Sequence, residues 1–191
     1  PPFNDNYIWL LEENGQAVCI DPGDAAPVLA HLRAHGLQLA QIWITHHHHD
    51  HTGGVAELKR AYPDCTVYGN SDIAEATAAA GEDVRIVFGS GSADVWATPG
   101  HTDRHLSYLF TDAHGLHVFC GDTLFSAGCG RVFTGTMAQL FTSFQRYNGL
   151  PGDTLFYPAH EYTAANLRFA QAVEPENAEV QAALAAAEQL P

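Results

Sequence analysis

The sequence predicts a layered α/β sandwich, on three observations. Short β-like runs alternate with helical ones along all 191 residues, and they fall into two successive β-rich blocks. No Gly-x-Gly-x-x-Gly follows the first strand and no Gly-Lys-Ser/Thr occurs anywhere, so a doubly wound nucleotide-binding sheet is not expected. A chain of this size buries roughly 70% of its unfolded surface, enough to fold without disulfides.

The elements follow in order. Tyr7–Leu11 and Ala17–Ile20 read as a hairpin, because Asn14-Gly15 between them is a strong turn signal. Asp21-Pro22-Gly23 ends the second strand; Asp24 can cap a helix running to His35, and Gly36 stops it. Gln41–Thr45 is a buried strand, Gly54–Tyr62 a helix with Val55, Leu58 and Tyr62 on one face, and Cys65–Tyr68 another strand. Ile73–Ala80 reads as a short alanine-rich helix ending at Gly81. The pattern then turns mostly β, with Arg85–Phe88, Asp94–Ala97, Leu106–Phe110 and Leu116–Cys120. Met137–Tyr147 is amphipathic through Leu140, Phe141 and Phe144, and Gly149 lies past its end. Thr154–Tyr157 is a last strand, and Ala164–Val173 and Asn177–Leu190 close the chain as helices.

Composition excludes several partners. Acidic residues outnumber basic ones 22 to 8, for a net charge of −14. Such a surface repels nucleic-acid phosphates and anionic lipid. No apolar run approaches the ~18–20 residues of a membrane span. There is no signal peptide pattern, although the chain opens Pro1-Pro2-Phe3 and not with Met, so residues are expected to precede it. Cys19, Cys65, Cys120 and Cys129 form no C-x-x-C pair, and Cys19 and Cys120 sit in apolar strands as small hydrophobes. A monomer in the reducing cytoplasm is the expectation.

Histidine is the anomaly: it occurs 12 times, and five of the 12 fall within positions 46–51. In Thr45-His46-His47-His48-His49-Asp50-His51-Thr52-Gly53-Gly54 an extended backbone turns His46 and His48 to the same side, while Asp50 and His51 come from the turn into the next helix. Imidazole and carboxylate suit zinc and other borderline divalent ions, at three or four protein ligands per ion. Further donors stand just past strand ends: His101 in Pro99-Gly100-His101-Thr102, Asp122 in Gly121-Asp122-Thr123, and His160 in Pro158-Ala159-His160-Glu161. Four strand-end loops offering seven ligands make a dinuclear layout. Asp122 is the natural bridge, since a carboxylate spans cations about 3.5–4 Å apart. A loose metal-sequestering loop is the competing reading. An affinity tag is not, because tags sit at termini and lack the following Asp-His. His31, His35, His114 and His117 read as structural or solvated, and His47 and His49 as facing away from the metals. Asp24 and Thr102 are candidates for orienting ligand histidines.

Thr45-His46-x-His48-x-Asp50-His51 resembles the signature of the metallo-β-lactamase superfamily. Asn4-Asp5-Asn6-Tyr7, Pro99-Gly100-His101-Thr102, Cys120 to Phe125, Gly128-Cys129-Gly130-Arg131 and His160-Glu161-Tyr162-Thr163 resemble the glyoxalase II family within it. The resemblance implies an αββα sandwich with a dinuclear metal site at one edge, spanning residues 1–163, with 164–191 opening a C-terminal helical segment. In the family that segment continues, and its basic residues grip the glutathione carboxylate; they are not found here before Pro191. It also implies hydrolysis of the thioester S-D-lactoylglutathione to D-lactate and glutathione. His46, His48 and His101 would hold one ion and Asp50, His51 and His160 the other, both bridged by Asp122. The ions would be zinc, with iron or manganese suiting the same ligands. Asp50 and Asp122 would be the catalytic carboxylates. Arg131, Phe133 and Tyr162 would line the glutathione pocket, with Phe133 standing where many members carry Tyr. The alternative is a mononuclear iron persulfide dioxygenase on the same scaffold.

Overall fold

The computed structural model describes residues 5–189; Asn4 of the first motif and Leu190 at the end of the last expected helix lie outside that range. The first β-block opens with the expected hairpin, β1 (Trp9–Glu13) and β2 (Gln16–Ile20), paired antiparallel across Asn14-Gly15. Both turn residues have positive φ (52° and 77°), which is why Asn-Gly is wanted there. Helix α1 (Ala25–His35) follows, its first turn capped by Asp24 accepting from the Ala26 amide at 2.9 Å, with Gly36 left-handed at its end. Strand β3 (Gln38–Trp43), helices α2 (His49–Thr52) and α3 (Val55–Ala61), and strands β4 (Thr66–Gly69) and β5 (Ala78–Ala79) complete the block. These strands form one five-stranded sheet in the order β1-β2-β3-β4-β5, parallel from β2 onward.

The second block is β6 (Arg85–Phe88), β7 (Gly91–Ala97), β8 (Leu106–Asp112) and β9 (Gly115–Gly121), then the small pair β10 (Leu124–Phe125) and β11 (Gly128–Cys129), helix α4 (Met137–Asn148) and strand β12 (Leu155–Pro158). The second five-stranded sheet runs β12-β9-β8-β7-β6, antiparallel except where β12 lies parallel to β9. Thr136 and Gln139 close a reciprocal capping box on α4. Helices α5 (Thr163–Val173) and α6 (Ala178–Ala187) pack on each other at the end of the chain.

Period-two alternation assigns the layers. Ala17, Cys19 and Ile42 face α1 and α3, meeting Val28, Leu32 and Leu58. Val18, Ile20 and Trp43 point the other way, into a core between the sheets with Val95, Leu106, Tyr108 and Phe119. Leu109, Val118 and Cys120 cover the far face against Tyr147 and Phe144 of α4. The order is helix, sheet, sheet, helix: the αββα sandwich expected.

One predicted element is wrong. Ile73–Ala80 is not a helix but turns leading into β5. Residues of high helix propensity lose here to an open sheet edge: the Thr77 hydroxyl accepts the Val67 amide at 2.9 Å, and Thr77 and Ala80 amides bond back to Val67 and Gly69. Both short helix α2 and the β10–β11 pair went unread in the sequence. Among the described residues no helix is long and apolar enough to cross a membrane.

Candidate metal centre

Strands β7, β9 and β12 run in one direction, so the loops that follow them open at the same end of the molecule. The end of β3 meets that edge where the Leu106 amide bonds Thr45 O at 2.8 Å. All seven sequence-predicted donors therefore converge. His46 Nε2 and His101 Nε2 stand 3.0 and 3.1 Å from His48 Nδ1. His160 Nε2 is 3.5 Å from Asp50 Oδ2, and His51 Nε2 is 3.7 Å from it. Asp122 lies between the two groups. Its Oδ1 is 3.3–3.4 Å from His160 and His51, and its Oδ2 is 3.4 Å from His101.

Close backbone approach makes the cluster possible. A Cβ on Gly130 would lie 1.8 Å from Asp122 O, and one on Gly23 would lie 2.0 Å from Asp50 O. These two glycines let the Gly128–Arg131 turn and the Pro22–Asp24 loop press against the ligand-bearing backbone.

Behind each of four buried histidines an oxygen stands within about 3 Å of the outer ring nitrogen. Thr45 Oγ1 is 3.0 Å from His46 Nδ1, Arg131 O is 2.7 Å from His101 Nδ1, Asp5 Oδ1 is 3.1 Å from His160 Nδ1, and Asp21 Oδ2 is 3.0 Å from His51 Nδ1. Asp21 also accepts the Thr45 amide at 2.8 Å and the Thr45 hydroxyl at 2.7 Å. Asn6 donates to Asp50 through its side chain. The sequence reading placed this orienting role on Asp24 and Thr102. Asp24 instead caps α1, and the Thr102 hydroxyl is buried with no hydrogen-bond partner. Asp21, three residues earlier, does the orienting because parallel pairing of β2 with β3 sets it beside Thr45. His47 turns to Asp72 and His49 is exposed, both away from the cluster as expected. His105, which the sequence reading left unassigned, is fully buried beside His46.

Electrostatics separate the histidines. Burial disfavours the charged form and holds His46, His48 and His101 below the ordinary imidazole value. The same desolvation acts on His51 and His160 but is outweighed by Asp122 with Asp21 at one and with Asp5 at the other, so both are raised. Burial would push Asp122 up, yet His51, His160 and His46 hold it well below the carboxylate range. Burial, against the pull of Asp122 and helped by the neighbouring His101, His51 and His48, takes His105 down to about 3.

The donors fit divalent cations. His51 Nε2, Asp122 Oδ1 and His51 Nδ1, the last with only the Asp21 carboxylate at 3.0 Å, are buried without an aligned hydrogen bond among the described residues, a state that costs about 1–3 kcal/mol per group unless something else satisfies it. Three imidazole nitrogens converging at about 3 Å cannot all be satisfied by protons shared among themselves. A cation at each focus resolves both problems, and three overlapping groups have the spacing to hold one: His46–His48–His101, His46–His51–Asp122 and Asp50–His51–His160.

The cluster floors a cavity of about 420 Å³. Its rim carries Phe125, Cys129, Arg131, Phe133 and Tyr162. Tyr162 stacks flat on His160 (5.0 Å, 3°), and the Arg131 guanidinium sits 5.3 Å over the Phe133 ring. The three predicted substrate contacts thus line the same cavity as the candidate metal donors.

Comparison with known proteins agrees with this geometry. A family profile for the metallo-β-lactamase superfamily matches residues 2–160, and one for the hydroxyacylglutathione hydrolase C-terminus matches 161–191. The chain is 61% identical over 189 residues to the hydroxyacylglutathione hydrolase of Neisseria gonorrhoeae (strain NCCP11945), covering 99% of this chain and 76% of that one. The crystal structure of ETHE1 from Myxococcus xanthus superposes with a TM-score of 0.73 at 32% identity, over 97% of this chain and 87% of that one. TTHA1623 in a di-iron-bound form superposes with a TM-score of 0.71 at 30% identity, over 84% and 89%. With its fold, its donor cluster and these relatives in agreement, the chain belongs to the metallo-β-lactamase superfamily and, within it, to the hydroxyacylglutathione hydrolases.

Proposed function

We propose that this chain is a metal-dependent thioester hydrolase that cleaves S-D-lactoylglutathione to D-lactate and glutathione. The observation that carries this is the convergence of seven nitrogen and carboxylate donors on the floor of a cavity whose rim bears Arg131 and Tyr162, in a chain 61% identical to a hydroxyacylglutathione hydrolase. His46, His48 and His101 hold one ion, and Asp50, His51 and His160 hold the other. Asp122 serves both, a reading supported by its two oxygens facing opposite groups. Zinc is the ion proposed, iron and manganese being compatible with the same donors. Two divalent cations held by these residues would supply Lewis-acid polarisation of the thioester carbonyl and a lowered pKa for a bound water.

The chain's own groups do the rest. Asp50 presents a carboxylate that is about one-third exposed to the cavity and steadied by Asn6, so it can orient the attacking water and take its proton. Arg131 offers a cation to a substrate carboxylate, and Phe133 and Tyr162 offer apolar and aromatic wall. The departing thiol resembles free cysteine, with a pKa near 8.5, and leaves as thiolate with little acid assistance. Residues 1–163 serve as the catalytic unit and 164–191 belong to a C-terminal helical segment, in a monomeric cytoplasmic protein.

The test is elemental analysis of protein purified without added metal, paired with an S-D-lactoylglutathione assay that follows thioester loss. Two ions per chain and turnover are expected. Full metal content with no thioester loss would overturn the proposal. One iron per chain, with oxygen uptake on glutathione persulfide, would establish the dioxygenase in its place.

A further inference from the structure

His105 does not line the cavity above the metal-ligand candidates, yet both of its ring nitrogens meet protein groups. Its side chain is fully buried at the start of β8, and its ring stacks on His46 at 4.9 Å and 27°. Nε2 accepts the Asp122 backbone N–H at 3.2 Å. An amide can only donate, so Nε2 carries no proton and the neutral ring holds its hydrogen on Nδ1. Nδ1 faces the hydroxyls of Thr98 and Thr123, each at 3.1 Å. The Thr123 hydroxyl donates onward to Thr98 O at 3.4 Å, leaving a lone pair for the Nδ1 proton. Thr98 continues the chain through Ser107 at 2.8 Å to Tyr147 of α4 at 2.6 Å.

The backbone is shaped to this contact. Gly121 is left-handed (φ 48°), and a Cβ there would lie 2.7 Å from His105 Nε2. The turn that aims the Asp122 amide at the imidazole therefore needs glycine.

We propose that His105 is the positioning residue for Asp122: a neutral Nδ1-protonated imidazole that anchors the Asp122 amide to the β7–β8–α4 network and so sets where the carboxylate stands between the two ligand groups. This rests on the reading of Asp122 as the shared ligand. His46 would feel His105 only through stacking, whereas Asp122 is held by a directed bond.

The test compares His105→Leu with His105→Gln in the zinc-loaded protein. Gln can place its carbonyl oxygen near Nε2 and accept the amide; Leu cannot. Removing an outer hydrogen-bond partner of a metal site costs about 10–100-fold in affinity or activity. His105→Leu is expected to lose kcat by that factor at unchanged KM and to release one ion of the two at a chelator concentration that leaves the wild type loaded. His105→Gln should recover most of both. Long-range proton–nitrogen NMR of the wild type should show His105 protonated on Nδ1 only. A wild-type-like Leu variant would overturn the inference, as would equal defects in Leu and Gln that track loss of thermal stability, or an Nε2-protonated His105. A wild type holding one ion would instead strike the shared-ligand reading, and the NMR tautomer would still report on the His105–Asp122 bond.

Discussion

Asp21→Asn changes one oxygen to an NH₂ and should disturb both ligand groups at once. In the wild type, Asp21 Oδ2 accepts from the Thr45 hydroxyl at 2.7 Å and faces His51 Nδ1 at 3.0 Å. Because Thr45 spends its proton on Asp21, its lone pair receives the His46 Nδ1 proton across 3.0 Å. Both histidines are thereby left with bare Nε2 atoms turned to the cluster. An Asn NH₂ at the Oδ2 position reverses the polarity. It donates to Thr45 or to His51 Nδ1, Thr45 then donates to His46, and each histidine so affected moves its proton to Nε2, where it cannot ligate. The other Asn atom still accepts the Thr45 amide, so the fold survives. A disturbed outer partner costs about 10–100-fold in metal affinity, or ~1.4–2.8 kcal/mol per ion. The assay is competition with a chromophoric chelator, with ion counting by mass spectrometry and circular dichroism of the metal-free variant. Both ions should weaken, and excess zinc should restore much of the activity. A folded Asp21→Asn protein that keeps both ions at wild-type affinity would refute the tautomer argument.

Other outcomes follow from the same geometry. Asp122→Ala should lose one ion and at least roughly 10²-fold in kcat, read by elemental analysis and steady-state kinetics; near-normal turnover with full metal would contradict its shared role. Arg131→Ala should raise KM for S-D-lactoylglutathione by roughly ten- to a hundredfold at constant kcat, since a charge-assisted contact of about 1.5–3 kcal/mol is lost equally from ground and transition states. The metal-free protein should melt highest near pH 6.5, the ordinary imidazole value. Above it, the raised His51 and His160 lose their protons and the stability those protons bring; below it, the unfolded chain takes up protons that His46, His48, His101 and His105 refuse when folded. A melting temperature rising steadily to about pH 8.5 would show that the raised pair carries little weight.

What the sequence disclosed was local, and what it withheld depended on register. Asn14-Gly15, Asp24, Gly36 and the helical spacing of Leu140 and Phe144 are signals whose physics acts within a few residues, and the elements they mark stand where expected, although Phe141, read onto the same face, is exposed. The Ile73–Ala80 segment failed because its residues bury at Ile73 and Ala80, not along one helical stripe, and a vacant sheet edge captured them. The convergence of the seven donors was legible because imidazoles and carboxylates just past strand ends are what a metal centre would demand. Their orienting groups were not. Asp21 and Asp24 flank the same Pro22-Gly23, and only the pairing of Ile20 with Trp43 decides which one reaches His51. His105 lacked even that much, because its partners are a backbone amide and two threonines with no chemical signature.

Charge balance argues for two ions on grounds independent of ligand spacing. Four carboxylates crowd the centre: Asp50 and Asp122 facing inward, and Asp5 and Asp21 behind His160 and His51. No lysine or arginine pairs with any of them among the described residues. Four buried or half-buried negative charges are costly without compensation, and several kcal/mol per uncompensated ion is the usual scale. Two divalent cations would match the charge of the four carboxylates, whereas one would leave two unmatched. The metal-free protein can recover only part of the balance, by protonating the two histidines that each sit between carboxylates, His51 between Asp21 and Asp122, and His160 between Asp5 and Asp122. Those are the two whose pKa values are raised. Protons and metals would therefore compete for the same two imidazoles, and an ion held by Asp50, His51 and His160 should be the first to leave as pH falls. Ion counting after equilibration at stepwise lower pH checks this; simultaneous release of both ions would show that the two groups share the proton load evenly.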